Sequence, residues 1–180
     1  MGLEDYVARL IVEAGIVYRG EFTLASGRRS DVYVDLRRVL GIPRLFKTLA
    51  SLLYALHGVV LEEAQAIAGV ATGGIPWATA LSLLSGKPLG YVRPRPKDHG
   101  LGRGVEGLTP PMRVVVVDDV ATSGESILNA VRVLRSEGFE ATDALVLVDR
   151  GEGALERLKA NGVRLHSLTS LGRIKGLLPG

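Results

Sequence analysis

In the stretch Val114-Val115-Val116-Val117-Asp118-Asp119-Val120-Ala121-Thr122-Ser123-Gly124-Glu125-Ser126, four valines in succession mark a strand, Arg113 to Val117, that is apolar on both faces. A central strand of a parallel sheet, covered by helices on each side, has that composition. The strand ends in two acids, then a small turn bearing hydroxyls and a glycine leads into a helix with Ile127, Ala130, Val131 and Leu134 on one face. In open α/β sheets, ligands bind beyond the carboxyl ends of the strands. A helix N-terminus there offers unpaired amides and the positive end of a dipole, which suits a phosphate. Thr122, Ser123 and Ser126 add hydroxyl donors, and Gly124 lets the backbone approach closely. Two carboxylates beside such a cradle would repel a phosphate unless something neutral or cationic lay between them. A ribose diol or a magnesium ion answers that requirement. Asp118 and Asp119 then accept hydrogen bonds from ribose hydroxyls while the turn holds a 5′-phosphate, so the whole reads a ribose phosphate. The plainer alternative is a strand–turn–helix junction in which Asp119 or Ser123 merely caps the helix.

Outward from this stretch, strands alternate with helices. Leu3 to Ala14 reads as a helix with Leu3, Val7, Leu10, Ile11 and Ala14 on one side. Phe22 to Asp35 is interrupted by Gly and Ser but has strand-like ends, of which Val32-Tyr33-Val34 is the better half. Pro43 opens a helix running to about Leu56, since proline is tolerated in a first helical turn. Ala66 to Val70 is a short apolar strand stopped by Thr72-Gly73-Gly74, and a helix from about Pro76 to Leu84 ends at Ser85-Gly86. Leu89 to Arg93 is a strand, and Pro94 to Pro111 a long Pro/Gly/charge segment. Ala144 to Val148 (strand), Gly153 to Ala160 (helix) and Val163 to Leu168 (strand) complete the series. The alternation predicts an α/β fold with a mainly parallel central sheet flanked by helices, in a single domain without internal repeat.

Composition narrows the chemistry. The 180 residues are 47% hydrophobic, enough for a substantial core, and none is cysteine, which excludes disulfides, thiolate nucleophiles and cysteine-ligated zinc. His57, His99 and His166 lie too far apart in sequence for a local metal-binding pair. A net charge of +3, with no long basic run or aromatic-basic interleaving, suits an anionic substrate better than nucleic acid. No apolar run approaches the ~20 residues that span a bilayer. The acidic start at Glu4 and Asp5 lacks a signal-peptide pattern, so a soluble cytoplasmic protein is expected. Scarce Asn, Gln and Cys hint at a heat-adapted source.

The stretch quoted first closely resembles the phosphoribosyl pyrophosphate motif of type I phosphoribosyltransferases. Two further stretches resemble the orotate phosphoribosyltransferases in particular. One is Phe22-Thr23-Leu24-Ala25-Ser26-Gly27-Arg28-Arg29-Ser30, continuing to Tyr33-Val34-Asp35; the other is Tyr91-Val92-Arg93-Pro94-Arg95-Pro96-Lys97-Asp98-His99-Gly100. All three stand in that family's order and spacing. The resemblance implies the type I phosphoribosyltransferase fold with a small hood, built mainly from residues 1–40. It implies transfer of ribose 5-phosphate from phosphoribosyl pyrophosphate to orotate, giving orotidine 5′-monophosphate and pyrophosphate in pyrimidine biosynthesis. It places the donor on Asp118, Asp119, Val120, Ala121, Thr122, Ser123, Gly124, Glu125 and Ser126, with Thr72, Gly73 and Arg95. It places orotate on Thr122, Arg150, Tyr33 and Val34, and catalysis on Arg93, Lys97 and His99. Cations suit that role, because displacing pyrophosphate builds negative charge on the leaving group. The resemblance also implies a homodimer whose catalytic loop closes over the partner's site. Magnesium is expected to be held mainly by the substrate's oxygens and water, not by a dedicated set of protein ligands.

Departures accompany the resemblance. Relatives often carry lysine where this chain has Ala25, Gly73 and Pro94. Arg95 offers the charge that Pro94 lacks, and the amides of Thr72 to Gly74 can form an anion-binding nest. Arg150 has a plainer reading as one half of a surface ion pair with Glu152 or Glu156. Gly102-Arg103-Gly104-Val105-Glu106-Gly107 fits a dinucleotide-binding pattern, but it lies inside a loop with Pro110-Pro111 close behind, where that pattern carries no meaning. His57, His166 and Trp77 read as structural, and Glu62 and Glu63 as a solvated turn. Two other functions stay open: a phosphoribosyltransferase for another base, which base competition would reveal, and a ligand-sensing regulator without turnover. The latter would usually need a nucleic-acid-binding element, for which the chain has little length to spare.

Overall fold

The computed structural model describes residues 2–23, 27, 29–93 and 104–179. Helix α1 (Leu3–Glu13) starts with Glu4 and Asp5 at its positive end and buries Val7, Ala8 and Ile11. A hairpin of β1 (Val17–Thr23) and β2 (Arg29–Val34) forms a separate two-stranded antiparallel sheet. A 3-10 helix (Leu36–Gly41) follows, pinned by buried Leu36 and Val39, and Pro43 opens α2 (Pro43–Leu56). Then come α3 (Gly58–Glu63), β3 (Ala66–Val70), α4 (Gly74–Ser85), β4 (Leu89–Val92), β5 (Val105–Glu106) and β6 (Arg113–Ala121). The chain continues through α5 (Glu125–Ser136), β7 (Glu140–Asp149), α6 (Ala154–Ala160), β8 (Arg164–Ser170) and α7 (Leu171–Gly176).

Six strands pair in the order β5-β4-β3-β6-β7-β8. All neighbours are parallel except β4 and β5. The valine strand β6 therefore sits inside the sheet, as its composition predicts. Its side chains divide between two apolar clusters. Val115 and Val117 join Trp77, Ala78, Leu49 and Leu53 on the side of α2 and α4. Val114 and Val116 join Ile127, Ala130, Val131 and Leu158 on the side of α5 and α6. Burial on both faces explains why β3 and β6 read as unbroken apolar runs and not as alternating ones. Trp77, 1% exposed, meets Phe46 edge-on at 4.8 Å between ring centroids.

Several expectations need correction. β6 runs on to Ala121, beyond the expected end at Val117, so the two acids lie within the strand and not at its end, and Val120 and Ala121 belong to it as well. The cause is β7, which continues to pair with it at Asp118↔Val146, Val120↔Val148 and Ala121↔Asp149. The hairpin begins at Val17, five residues before the strand-like stretch in the sequence, because cross-strand pairing with Tyr33 and Val34 extends it. Glu62 and Glu63 are exposed, but they end α3 and do not form a turn. The short β5 and α7 were also absent from the sequence reading. The first exists only by pairing with β4, and the second by burying Leu171 and Ile174. Gly104 to Gly107 lead into no helix, so the three-glycine pattern is indeed a decoy. His57 and His166 lie 5.5 Å apart between ring centroids, and His166 Nε2 is 2.8 Å from Asp143 Oδ1. Both histidines keep structural roles.

Candidate active site

The carboxyl ends of β3 and β6 open into a cavity of about 620 Å³. Every residue from Asp118 to Ser126 lines it, and Thr72 and Gly73 face them from the loop between β3 and α4. The sequence motif and the second glycine loop thus come together in one place, from segments some fifty positions apart.

Local geometry explains the residue types. Gly124 has φ +75° and serves as the N-cap of α5 with no side-chain cap bond. Neither Asp119 nor Ser123 caps that helix, which removes the plainer reading of the turn. The first-turn amides of α5 have no partner within the helix, a property of any helix start. The same glycine abuts the neighbouring helix, since a Cβ on it would lie 3.2 Å from Ala154 Cα. Across the cavity, a Cβ at Gly73 would lie 2.7 Å from Asp119 Oδ1, and one at Gly74 would lie 2.0 Å from the Val117 carbonyl oxygen. The absence of side chains lets this loop press against the end of β6.

The two acids are not equivalent. Asp118 is 7% exposed and accepts the Asp119 amide at 2.9 Å through Oδ1. Burial, and next the neighbouring Asp119 charge, push its carboxyl well above the usual range, while Arg37 opposes the rise. Asp119 lies over Gly73 and is more open to the cavity.

Arg150 stands just beyond this lining. Its amide donates to the Ala121 carbonyl at 2.9 Å, at the end of β6. Its Nε donates to Glu152 Oε1 at 2.8 Å, and Nη2 donates to Ser30 Oγ on the hairpin at 3.0 Å. The ion pair with Glu152 therefore exists but is not a surface pair, since the Arg150 side chain is only 5% exposed. A buried arginine stripped of its carboxylate leaves an uncompensated charge. Glu152→Ala should therefore lower stability by about 3 kcal/mol, visible as a depressed melting temperature, and an unchanged melt would contradict this.

Tyr33 and Val34 lie on β2, with Tyr33 against Phe22 at 5.5 Å between centroids and Val34 packed on the core. Neither joins the cavity lining, whereas Thr122 does. Arg93 sits at the end of β4, with Nε 3.0 Å from Glu106 Oε1 and its guanidinium carbon 5.7 Å from the Tyr91 ring centroid. It lines a smaller cavity of about 160 Å³ that shares Val70, Ala71 and Ser126 with the larger one. Arg95, Lys97 and His99 lie outside the described residues, as do Ala25, Ser26, Arg28 and Pro94. Sequence reasoning missed two cations that line the large cavity, Arg37 on the 3-10 helix and Arg157 on α6. No local motif surrounds either.

Comparison with known proteins places the whole chain in one family. The model of the phosphoribosyl transferase domain matches residues 36–165. The chain is 52% identical to the orotate phosphoribosyltransferase of Aeropyrum pernix over 172 residues, covering 96% of this chain and 92% of that protein. It is 40% identical to the orotate phosphoribosyltransferase of Methanopyrus kandleri over 173 residues, with 96% and 92% covered. The crystal structure of the Aeropyrum pernix enzyme superposes with a TM-score of 0.85 at 49% identity, covering 94% of this chain and 97% of that one.

Proposed function

Since this chain belongs to the orotate phosphoribosyltransferase family, we propose that it joins orotate to the ribose 5-phosphate of phosphoribosyl pyrophosphate, in the route to pyrimidine nucleotides. The single observation that carries the proposal is the cavity in which the acid pair, the Thr122–Ser126 turn and the Thr72–Gly73 loop meet. The turn holds the 5′-phosphate through amides and hydroxyls. Asp118 and Asp119 accept the ribose hydroxyls and fix the ring. Thr72 and Gly73 border the pyrophosphate.

In the reaction the bond from C1 to the pyrophosphate oxygen breaks, and its electron pair leaves with pyrophosphate. The ring nitrogen of orotate forms the new bond to C1, and its proton passes to the departing pyrophosphate or to water. Positive charge grows on the ribose, and negative charge on the departing oxygens. Arg93, Arg95, Lys97 and His99 are proposed to neutralise the latter. Thr122 and Arg150 are proposed to position orotate, with Tyr33 and Val34 bordering the ring from the hairpin, which would act as a hood. A guanidinium suits orotate because it pairs with a carboxylate or ring carbonyl.

No cluster of three or more His, Asp or Glu among the described residues could hold a metal by itself. The donor set in the cavity, two adjacent aspartates, fits a magnesium ion that comes largely on substrate oxygens and keeps its waters. Asp119, the more open of the two, would hold it, and when bound it supplies charge neutralisation on the leaving group.

The proposal includes a homodimer and a cytoplasmic location. No described helix is long and apolar enough to cross a membrane.

Orotate consumption, followed by its ultraviolet absorbance, should require orotate, phosphoribosyl pyrophosphate and magnesium together. It should fall about a hundredfold in Lys97→Ala. No turnover in the wild type, at high as well as moderate temperature, would overturn the assignment. Turnover with a different base in preference to orotate would redirect it.

A further inference from the structure

The cavity faces a charge problem. Two aspartates line it, yet under the reading above its ligand is a polyanion. Among the described residues, the cations that line it are Arg37 and Arg157. Arg157 is engaged by Glu125 on the side of α5 and α6. Arg37 enters from the opposite side. Its neighbours Leu36 and Val39 are buried in the cluster that holds Trp77 and Ala78 of α4, whereas the turn leading into α5 adjoins the other cluster through Ile127 and Ala154. Arg37 therefore shares a face of the sheet with Thr72 and Gly73. No ion pair among the described residues takes up its guanidinium, whose charge acts instead on Asp118.

Gly73 supplies no charge on this face. With glycine at this position, a cation on this face comes from another segment. A planar guanidinium binds phosphate oxygens in pairs and is weakly hydrated, which favours it over an ammonium at such a place. We propose that Arg37 is a substrate-binding residue that holds the pyrophosphate group of the donor against the Thr72–Gly73 loop. The inference rests on the phosphoribosyl-transfer reading and adds a residue to it. Loss of Arg37 should therefore act on pyrophosphate first and on the 5′-phosphate little.

Two ligands separate these effects. Magnesium pyrophosphate reports the leaving-group subsite, and orotidine 5′-monophosphate occupies the rest of the site without it. Calorimetric titration of the full chain should show pyrophosphate affinity falling about tenfold or more in Arg37→Gln. Arg37→Lys should recover part of the loss, and affinity for orotidine 5′-monophosphate should stay within about threefold of wild type. If Arg37→Gln fails to fold, Arg37→Lys must still weaken pyrophosphate alone, because it loses the paired donors. Unchanged pyrophosphate affinity, or equal weakening of both ligands, would overturn the assignment of Arg37 while leaving the transferase reading intact. A wild-type protein that binds neither ligand would overturn both.

Discussion

Asp118→Asn should melt at a higher temperature than the wild type at neutral pH while losing about a hundredfold in transfer rate. On the proposed reading the rate falls because a charged acceptor for a ribose hydroxyl becomes a neutral amide. Stability rises because Asp118 is 7% exposed and its ionised form is disfavoured by burial, then by the adjacent Asp119. Asparagine keeps an oxygen that can accept the Asp119 amide, now 2.9 Å from Oδ1, so the native bond survives. Relief of a buried charge of this kind is worth about 1 kcal/mol or more. The pH dependence fixes the cause. The carboxyl has its pKa raised in the folded protein above its ordinary value, so folding favours the protonated form. That favourable contribution is complete below the unfolded pKa and is lost as pH rises through the folded one. The advantage of asparagine should therefore be absent in acid, appear as pH climbs past about 4, and be largest at neutral pH and above. Thermal melts across that range, with steady-state rates at neutral pH, test both halves. An advantage of equal size in acid would show that charge is not the cause.

Gly74→Ala should be the most damaging glycine-to-alanine change among the described residues. The added carbon would lie 2.0 Å from the Val117 carbonyl oxygen and 2.9 Å from Asp118 Cα. Both obstacles are backbone of β6, an interior strand held by β3 on one side and β7 on the other. Relief must come from α4, yet that helix is itself pressed on β3, where a Cβ on Gly69 would meet Ile75 Cα at 2.8 Å. A loss of about 3 kcal/mol is expected, with a raised KM for phosphoribosyl pyrophosphate because Thr72 and Gly73 move with the helix. Gly58→Ala is the control. A Cβ there meets nothing within 4 Å and the backbone has no positive φ, so the variant should be neutral or slightly stabilised. Chemical denaturation of the three proteins decides the matter, and equal stability of Gly74→Ala and wild type would refute the packing argument.

Much of the fold and of the candidate site can be read from the chain because the signals are local. Proline at position 43 starts α2 where the sequence predicts, and β3 keeps the bounds Ala66–Val70 because an unbroken apolar run is cut off by a Thr-Gly-Gly turn. The acid pair and its turn can be read as a candidate phosphate cradle because strand end, small residues and helix start are consecutive, so no distant partner is needed to bring them together. Position in space obeys a different logic. The run of β6 past Asp118 and Asp119 depends on β7 beside it, and β5 is a strand only because β4 offers an edge. The burial of Arg150 depends on Ser30 arriving from 120 positions away. Arg37 looks like any exposed arginine until buried Leu36 and Val39 anchor its helix in the core cluster it shares with α4 and set it on the cavity wall with the acids. Thus the residue types and order of the chain determined the strand, the cradle and the chemistry they suit. Which cations face that cradle, and which of its two acids is stripped of water, was decided only by long-range packing, since burial and Coulomb energy depend on neighbours that sequence separation does not reveal.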